Sequence, residues 1–155
     1  MKTNKQKLLE YLKSLKFMSV STRDKYLWTA WVYYVIDDNF NLYFVSQPDT
    51  DHCKSILKNG QIACAIADSH QKVTDKKIGA QLYGTASQLN NISQLRWMLA
   101  LWNKINPGVE KVINLKNIQK KIIKSRVFKV IPKKIKWFNE ALYKEKEFEI
   151  FNFKV

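Results

Sequence analysis

The chain opens on a helical pattern and then changes to short strand patterns. Leu8, Leu9, Leu12 and Leu15 recur at helical spacing behind Asn4, which predicts a helix over about 5–15, with Asn4 as its cap and one apolar face that covers a barrel end. From position 17 the β-branched and aromatic residues cluster in the runs 17–21, 26–36 and 40–46, separated by Thr-Arg-Asp-Lys and by Asp37-Asp38-Asn39. Two tight connections imply an antiparallel meander. The middle run carries Trp28, Trp31, Tyr33, Tyr34 and Val35 and is apolar on both faces. One face belongs inside a barrel and the other against a covered surface, which in a domain this small is a second subunit.

The segment Gln-Pro-Asp-Thr-Asp at 47–51 breaks the third run, and Asp51 can cap a short helix over 51–58 that ends at Asn59-Gly60. A strand at 61–67, a polar loop at 68–76 and a longer strand at 78–89 follow, with Gly79 and Gly84 able to permit a bulge or a close backbone approach. Residues 91–105 place Leu95, Met98, Leu99 and Trp102 on one helical face, stopped by Asn106-Pro107-Gly108. Between 111 and 136 there is no Asp or Glu; Val112, Ile113, Leu115, Ile118, Ile122 and Ile123 suggest an amphipathic helix whose lysines form a solvated face. Residues 126–131 read as a strand ended by Pro132, 135–138 as another, and 148–153 alternates. The order is that of an α+β protein built on an antiparallel barrel, not a doubly wound sheet. A single domain over 1–155 is expected: helix about 5–15, barrel core about 17–138, tail 139–155.

Composition adds limits. With 155 residues, 46% of them hydrophobic, the chain can bury one core without disulfides or metal. The Lys-rich start lacks the apolar run of a secretory signal, and no stretch is apolar enough to span a membrane, so a cytoplasmic protein with no membrane partner is expected. Cys53, Cys64, His52 and His70 show no metal-ligand spacing; the cysteines are read as reduced and no metal is expected. A net charge of +14 would ordinarily suggest nucleic acid, an anionic membrane surface or a phosphorylated ligand. Only Arg23, Arg96 and Arg126 are arginine, the residue that phosphate and base readers favour for its planar fork. The lysine excess therefore reads as a general compositional bias, and a nucleic-acid role would rest on charge alone.

Several runs stand in a telling order. WTAWVYYVID at 28–37 and LYFVS at 42–46 are followed by Thr50-Asp51-His52, by Ile56-Leu57 and Asn59, and by the strand at 61–67. IGAQLYG at 78–84, RVFKVIP at 126–132 and Ile135-Lys136-Trp137 come later. Together they resemble the split-barrel, flavin mononucleotide (FMN)-binding proteins related to pyridoxamine 5′-phosphate oxidase, in particular a small bacterial branch with Trp and paired aromatics in the second strand. No single motif is specific, and a shared fold does not fix chemistry.

The resemblance implies a homodimeric flavoprotein, an oxidoreductase of unknown substrate whose redox chemistry resides in FMN. It implies ring contacts from Thr29, Ala30 and Trp31 and from Val45 and Ser46, with Gln81 approaching from the partner subunit. Physical chemistry independently favours a phosphate at the loop leading into the helix at 51–58, where Thr50, Asp51, His52 and Lys54 lie. Three positions depart from the family pattern. Asp51 stands where a cation is usual and would repel a phosphate, with Lys54 as the replacement; Ser55 replaces Asn, and Gly60 replaces Pro. Asp51 motivates the alternative function, a non-enzymatic barrel holding another planar ligand such as haem. His52 could serve only as a local hydrogen-bonding group, and Trp28, Trp31, Trp97 and Trp102 are read first as core or dimer packing. No residue is assigned to catalysis.

Overall fold

The computed structural model describes residues 1–154. Helix α1, Asn4–Ser14, begins one residue earlier than its leucine spacing suggested. Its cap is Thr3, not Asn4: Thr3 Oγ1 accepts from Gln6 N at 3.2 Å while Thr3 N donates to Gln6 Oε1 at 2.8 Å, a reciprocal pair that satisfies two otherwise orphaned donors. Asn4 instead reaches Glu149 Oε2 at 2.8 Å. Leu8 and Leu12 are fully buried and join the barrel core.

Eight strands form one antiparallel sheet: β1 Phe17–Arg23, β2 Leu27–Tyr33, β3 Val35–Ile36, β4 Leu42–Ser46, β5 Gln61–Ile66, β6 Ile78–Gln88, β7 Arg126–Asn139 and β8 Phe148–Asn152. Their order is β2-β1-β5-β6-β7-β4-β3, with β8 added to β7. The run at 26–36 is therefore two strands, and the simple meander expected of it is not formed. β2 pairs with β1, whereas β3 pairs with β4 at the far end of the path. Tyr34, between them, carries the chain from one edge of the sheet to the other. The two edges are covalent neighbours without a ladder between them, so the sheet curls into a barrel split along that seam. Tyr34 is held by Tyr34 N donating to Lys16 O at 2.9 Å and its hydroxyl donating to Leu12 O.

The barrel interior is filled by alternating residues, among them Met18, Val20, Phe44, Cys64, Phe128, Ile135 and Trp137. β7 is continuous through Pro132, which had been expected to end a strand. The register shifts there, Tyr83 facing Lys134 and Gly84 facing Pro132, so Pro132 and Lys133 form a bulge, a place where a missing ladder N–H is tolerated. Gly84 is required at this point. A Cβ on it would run into the Ile131 carbonyl oxygen and stand 2.9 Å from Pro132 Cα.

Helix α3, Ile92–Ile105, is capped by Asn91 and buries Leu95, Met98, Leu99 and Trp102 as its pattern implied. It packs with Ile118, Val35, Tyr43 and Val127 in a second core on the outside of β3, β4 and β7. The amphipathic helix expected over 112–123 is reduced to α4, Leu115–Gln119. Asn114 and Asn117 take the local backbone into side-chain turns, in competition with the helical ladder. Lys116, Lys120 and Lys124 would also stack like charges at helical spacing. A short helix α5, Glu140–Tyr143, precedes β8. No helix among the described residues is long and apolar enough to cross a membrane.

Candidate functional site

Helix α2, Asp51–Asn59, stands at the end of β4 and leans on β1, β2 and β6. It buries Cys53 and Ile56 into the barrel and stops at Gly60, whose φ of 67° is the left-handed conformation that favours glycine. Its cap is Thr50, not Asp51, which occupies the first turn. The Thr50 hydroxyl is not spent on the helix. It donates to Gln47 O at 2.8 Å, leaving the first-turn N–H groups of α2 without a side-chain acceptor from their cap residue.

His52 turns back from the helix into a pocket of hydroxyls. Its Nε2 lies 2.9 Å from Ser46 Oγ and 3.3 Å from Thr50 Oγ1, with the Phe44 ring beside it. With the Thr50 proton on Gln47 O, the tautomer protonated at Nε2 donates toward Thr50, and the other tautomer accepts from Ser46. In the first of these Ser46 can accept from the same N–H, which leaves its own hydrogen free to donate. Burial lowers the pKa of His52 below its ordinary value, opposed by the neighbouring charge of Asp51. Burial likewise raises the Cys53 thiol, opposed by the neighbouring Thr50 and Ser46 hydroxyls, and pushes Cys64 up to about 12. Both thiols are protonated at neutral pH and are poor nucleophiles.

Beside this cluster a cleft of about 470 Å³ opens between α2 and the tip of the β1–β2 hairpin. Trp28 and Tyr26 wall it, edge to face with centroids 6.0 Å apart. Asp51, Lys54 and Lys58 face them. The Tyr26 hydroxyl stands 3.5 Å from Asp51 Oδ1, and Lys58 is paired with Asp24, which leaves Lys54 on α2 and Lys25 on the hairpin tip as cleft-lining cations without an ion-pair partner among the described residues. Thr22, the register partner of Trp28, has a buried hydroxyl with no hydrogen-bond partner.

The structure thus brings Ser46, Thr50 and His52 together and sets Asp51 and Lys54 on the adjoining cleft. Val45 points the other way, toward the second core. Thr29 and Trp31 lie on the outer face of β2, Thr29 within 3.1 Å of Ser21 Oγ, while Ala30 faces inward with Val32. Gln81 is on the outer face of β6: Trp31 pairs with Ser19, Ser19 with Ala65 and Ala65 with Gln81, three strand spacings or roughly 14 Å. Sequence reasoning did not place Tyr26 and Trp28 on a cleft. Their aromatic run signals a covered surface, but only the crossing at Tyr34 decides which ring faces α2.

No family model and no curated protein sequence matches the chain. Solved structures do. A candidate pyridoxamine 5′-phosphate oxidase from Listeria innocua superposes with a TM-score of 0.68 at 14% identity, over 88% of this chain and 99% of that one. The haem storage protein of Vibrio cholerae gives 0.68 at 12% identity, over 94% and 92%. A haem-binding protein of Mycobacterium smegmatis gives 0.77 at 12% identity over 98% of this chain, which spans 59% of that protein's length. The fold is the split barrel of the pyridoxamine 5′-phosphate oxidase-like proteins. At these identities the likeness is one of fold, and this split barrel's ligand must be argued from its own residues. Among the described residues no three His, Cys, Asp or Glu side chains are grouped to hold a metal ion.

Proposed function

We propose that this split barrel is a homodimeric FMN-binding protein, with the phosphate received at the N-terminus of α2 and the ring lying along the split between β2 and the β3–β4 edge. One observation carries the proposal. Ser46 and the first-turn N–H groups of α2 lie beside an aromatic-walled cleft, a donor set suited to an anion with a planar group attached. With Nε2 protonated, His52 holds the Ser46 oxygen in place and leaves its hydrogen for a phosphate oxygen. Lys54 supplies a cation, and Asp51 opposes the phosphate, which limits affinity. When bound, the flavin would supply hydride or electron transfer, while the chain's residues bind and orient it.

The dimer rests on the outer face of β2, β1, β5 and β6. α3 covers the outside of β3, β4 and β7, but no helix covers this face, where Trp31 is 72% exposed and Phe17, Leu27, Tyr33 and Tyr83 are exposed with it. A monomer would leave a large contiguous apolar patch in water; a two-fold contact buries it on both copies. It would also carry Gln81 of one copy to the seam of the other.

The test is a titration of purified protein with FMN, followed by flavin fluorescence and visible absorbance. Saturable binding with quenched or shifted flavin signals supports the reading. No binding at high micromolar FMN overturns it.

A second reading, a haem-binding barrel, is favoured by His70. Its Nδ1 is 3.1 Å from Asp68 Oδ1, which leaves Nε2 open to solvent, so His70 would be the residue to hold a haem iron, with Asp68 fixing its ring. A Soret band that forms with added haem and is lost in His70→Ala would establish it. No Soret shift removes it.

A further inference from the structure

We propose that residues 109–124 form a docking surface for an anionic lipid bilayer. This goes beyond ligand binding and does not depend on it.

The segment lies outside the second core, anchored by Ile113, Leu115, Ile118 and Ile123 against α3. Val109 is 38% exposed, and two further aliphatic side chains point away from that core: Val112 is 56% exposed and Ile122 is 60% exposed. Ten residues apart in sequence, they are drawn together around Asn117. The Asn117 side chain donates to Val112 O at 2.9 Å and to Lys111 O at 3.1 Å, and the Asn117 backbone carbonyl accepts from Ile122 N at 2.9 Å. Lys121, at φ 54°, makes the reversal that returns the chain to Asn117. The result is an aliphatic knuckle.

Lys111, Lys116, Lys120, Lys121 and Lys124 belong to the same segment and are all exposed. Among the described residues none of the five is in an ion pair. The one nearby carboxylate, Glu110, is turned onto Gly108 N at 3.0 Å. Exposed aliphatics on a segment of unpaired, exposed lysines fit a headgroup region where lysines meet anionic lipid and short apolar side chains enter the acyl boundary. Nucleic acid is the poorer match. From 103 to 127 the chain has no aromatic residue to stack on a base, and Arg126 is turned inward onto the carbonyls of Ile123 and Ser125.

Flotation with vesicles tests this. The full chain should float with vesicles of equal parts phosphatidylserine and phosphatidylcholine, remain unbound with phosphatidylcholine alone, and be released by salt. The variants Val112→Asp/Ile122→Asp and Lys120→Gln/Lys121→Gln should each weaken binding by roughly tenfold, while Lys72→Gln, on a distant exposed loop, should not. All these side chains are exposed, and a wild-type circular dichroism spectrum confirms that the variants fold. Equal binding to neutral vesicles, no binding to anionic ones, or unchanged binding by either double variant overturns the proposal. So does stronger capture of single-stranded oligoadenylate that is insensitive to Val112→Asp/Ile122→Asp.

Discussion

Ser46 Oγ and His52 Nε2 lie 2.9 Å apart and join the last residue of β4 to the first turn of α2. The contact ties a strand end to a helix start, so the hydroxyl that would meet an anion is held by a buried, neutral ring.

Acid should loosen this arrangement. The folded pKa of His52 is lowered by burial, so between its ordinary value of about 6.5 and the lower folded value the unfolded chain binds more protons. Stability then rises with pH across that window and is lost as pH falls through it. Thermal unfolding measured on either side of pH 6.5 should show a falling midpoint toward acid, and His52→Gln should flatten the dependence. An unchanged slope in the variant would assign the acid sensitivity elsewhere.

Asp51 is exposed in the first turn of α2, where its charge favours the helix dipole but opposes a phosphate. Asp51→Lys is expected to tighten FMN binding by roughly tenfold, about 1.4 kcal/mol, at low ionic strength, and the gain should shrink as salt is added. Fluorescence titration at two salt concentrations checks both. Weaker binding would mean that the Tyr26 hydroxyl contact to Asp51 shapes the cleft.

Trp31 projects from β2 onto the uncovered outer face. Trp31→Glu should convert a dimer to a monomer and reduce FMN binding with it, because a charge cannot be buried against its two-fold copy without a partner. Light scattering of the unmodified protein at micromolar concentration gives the reference. A monomer there contradicts the interface.

Gly84 faces Pro132 across the β6–β7 bulge with no room for a side chain. Gly84→Ala should cost on the order of 3 kcal/mol or prevent folding, the range for overpacking against backbone. Urea unfolding measures it. Gly108, with nothing within 4 Å of its Cβ position, also has a positive φ of 105°, so Gly108→Ala should cost only the local strain, about 1 kcal/mol.

Periodicity alone determined much of this protein. The leucines of α1, the face of α3 and the strands β1, β5 and β6 were readable because each follows from neighbours within one or two turns or pleats, and of the two glycines in β6 it is Gly84 that meets the close backbone approach. The ordered motifs from 28 to 137 carried the barrel. What the local pattern could not decide was anything set by partners distant in sequence. Residues 26–36 are one apolar run in the chain, yet Tyr34 divides them because its backbone and hydroxyl are claimed by Lys16 and Leu12. Residues 112–123 have helical spacing, but asparagine side chains and stacked lysine charges outweigh it over most of that length. The pairing of Ser46 with His52 and the placing of Trp28 and Tyr26 opposite Lys54 depend on how the sheet closes. Closure is a property of the whole barrel: burying one face of every strand fixes which edges meet, and no window of sequence contains that constraint.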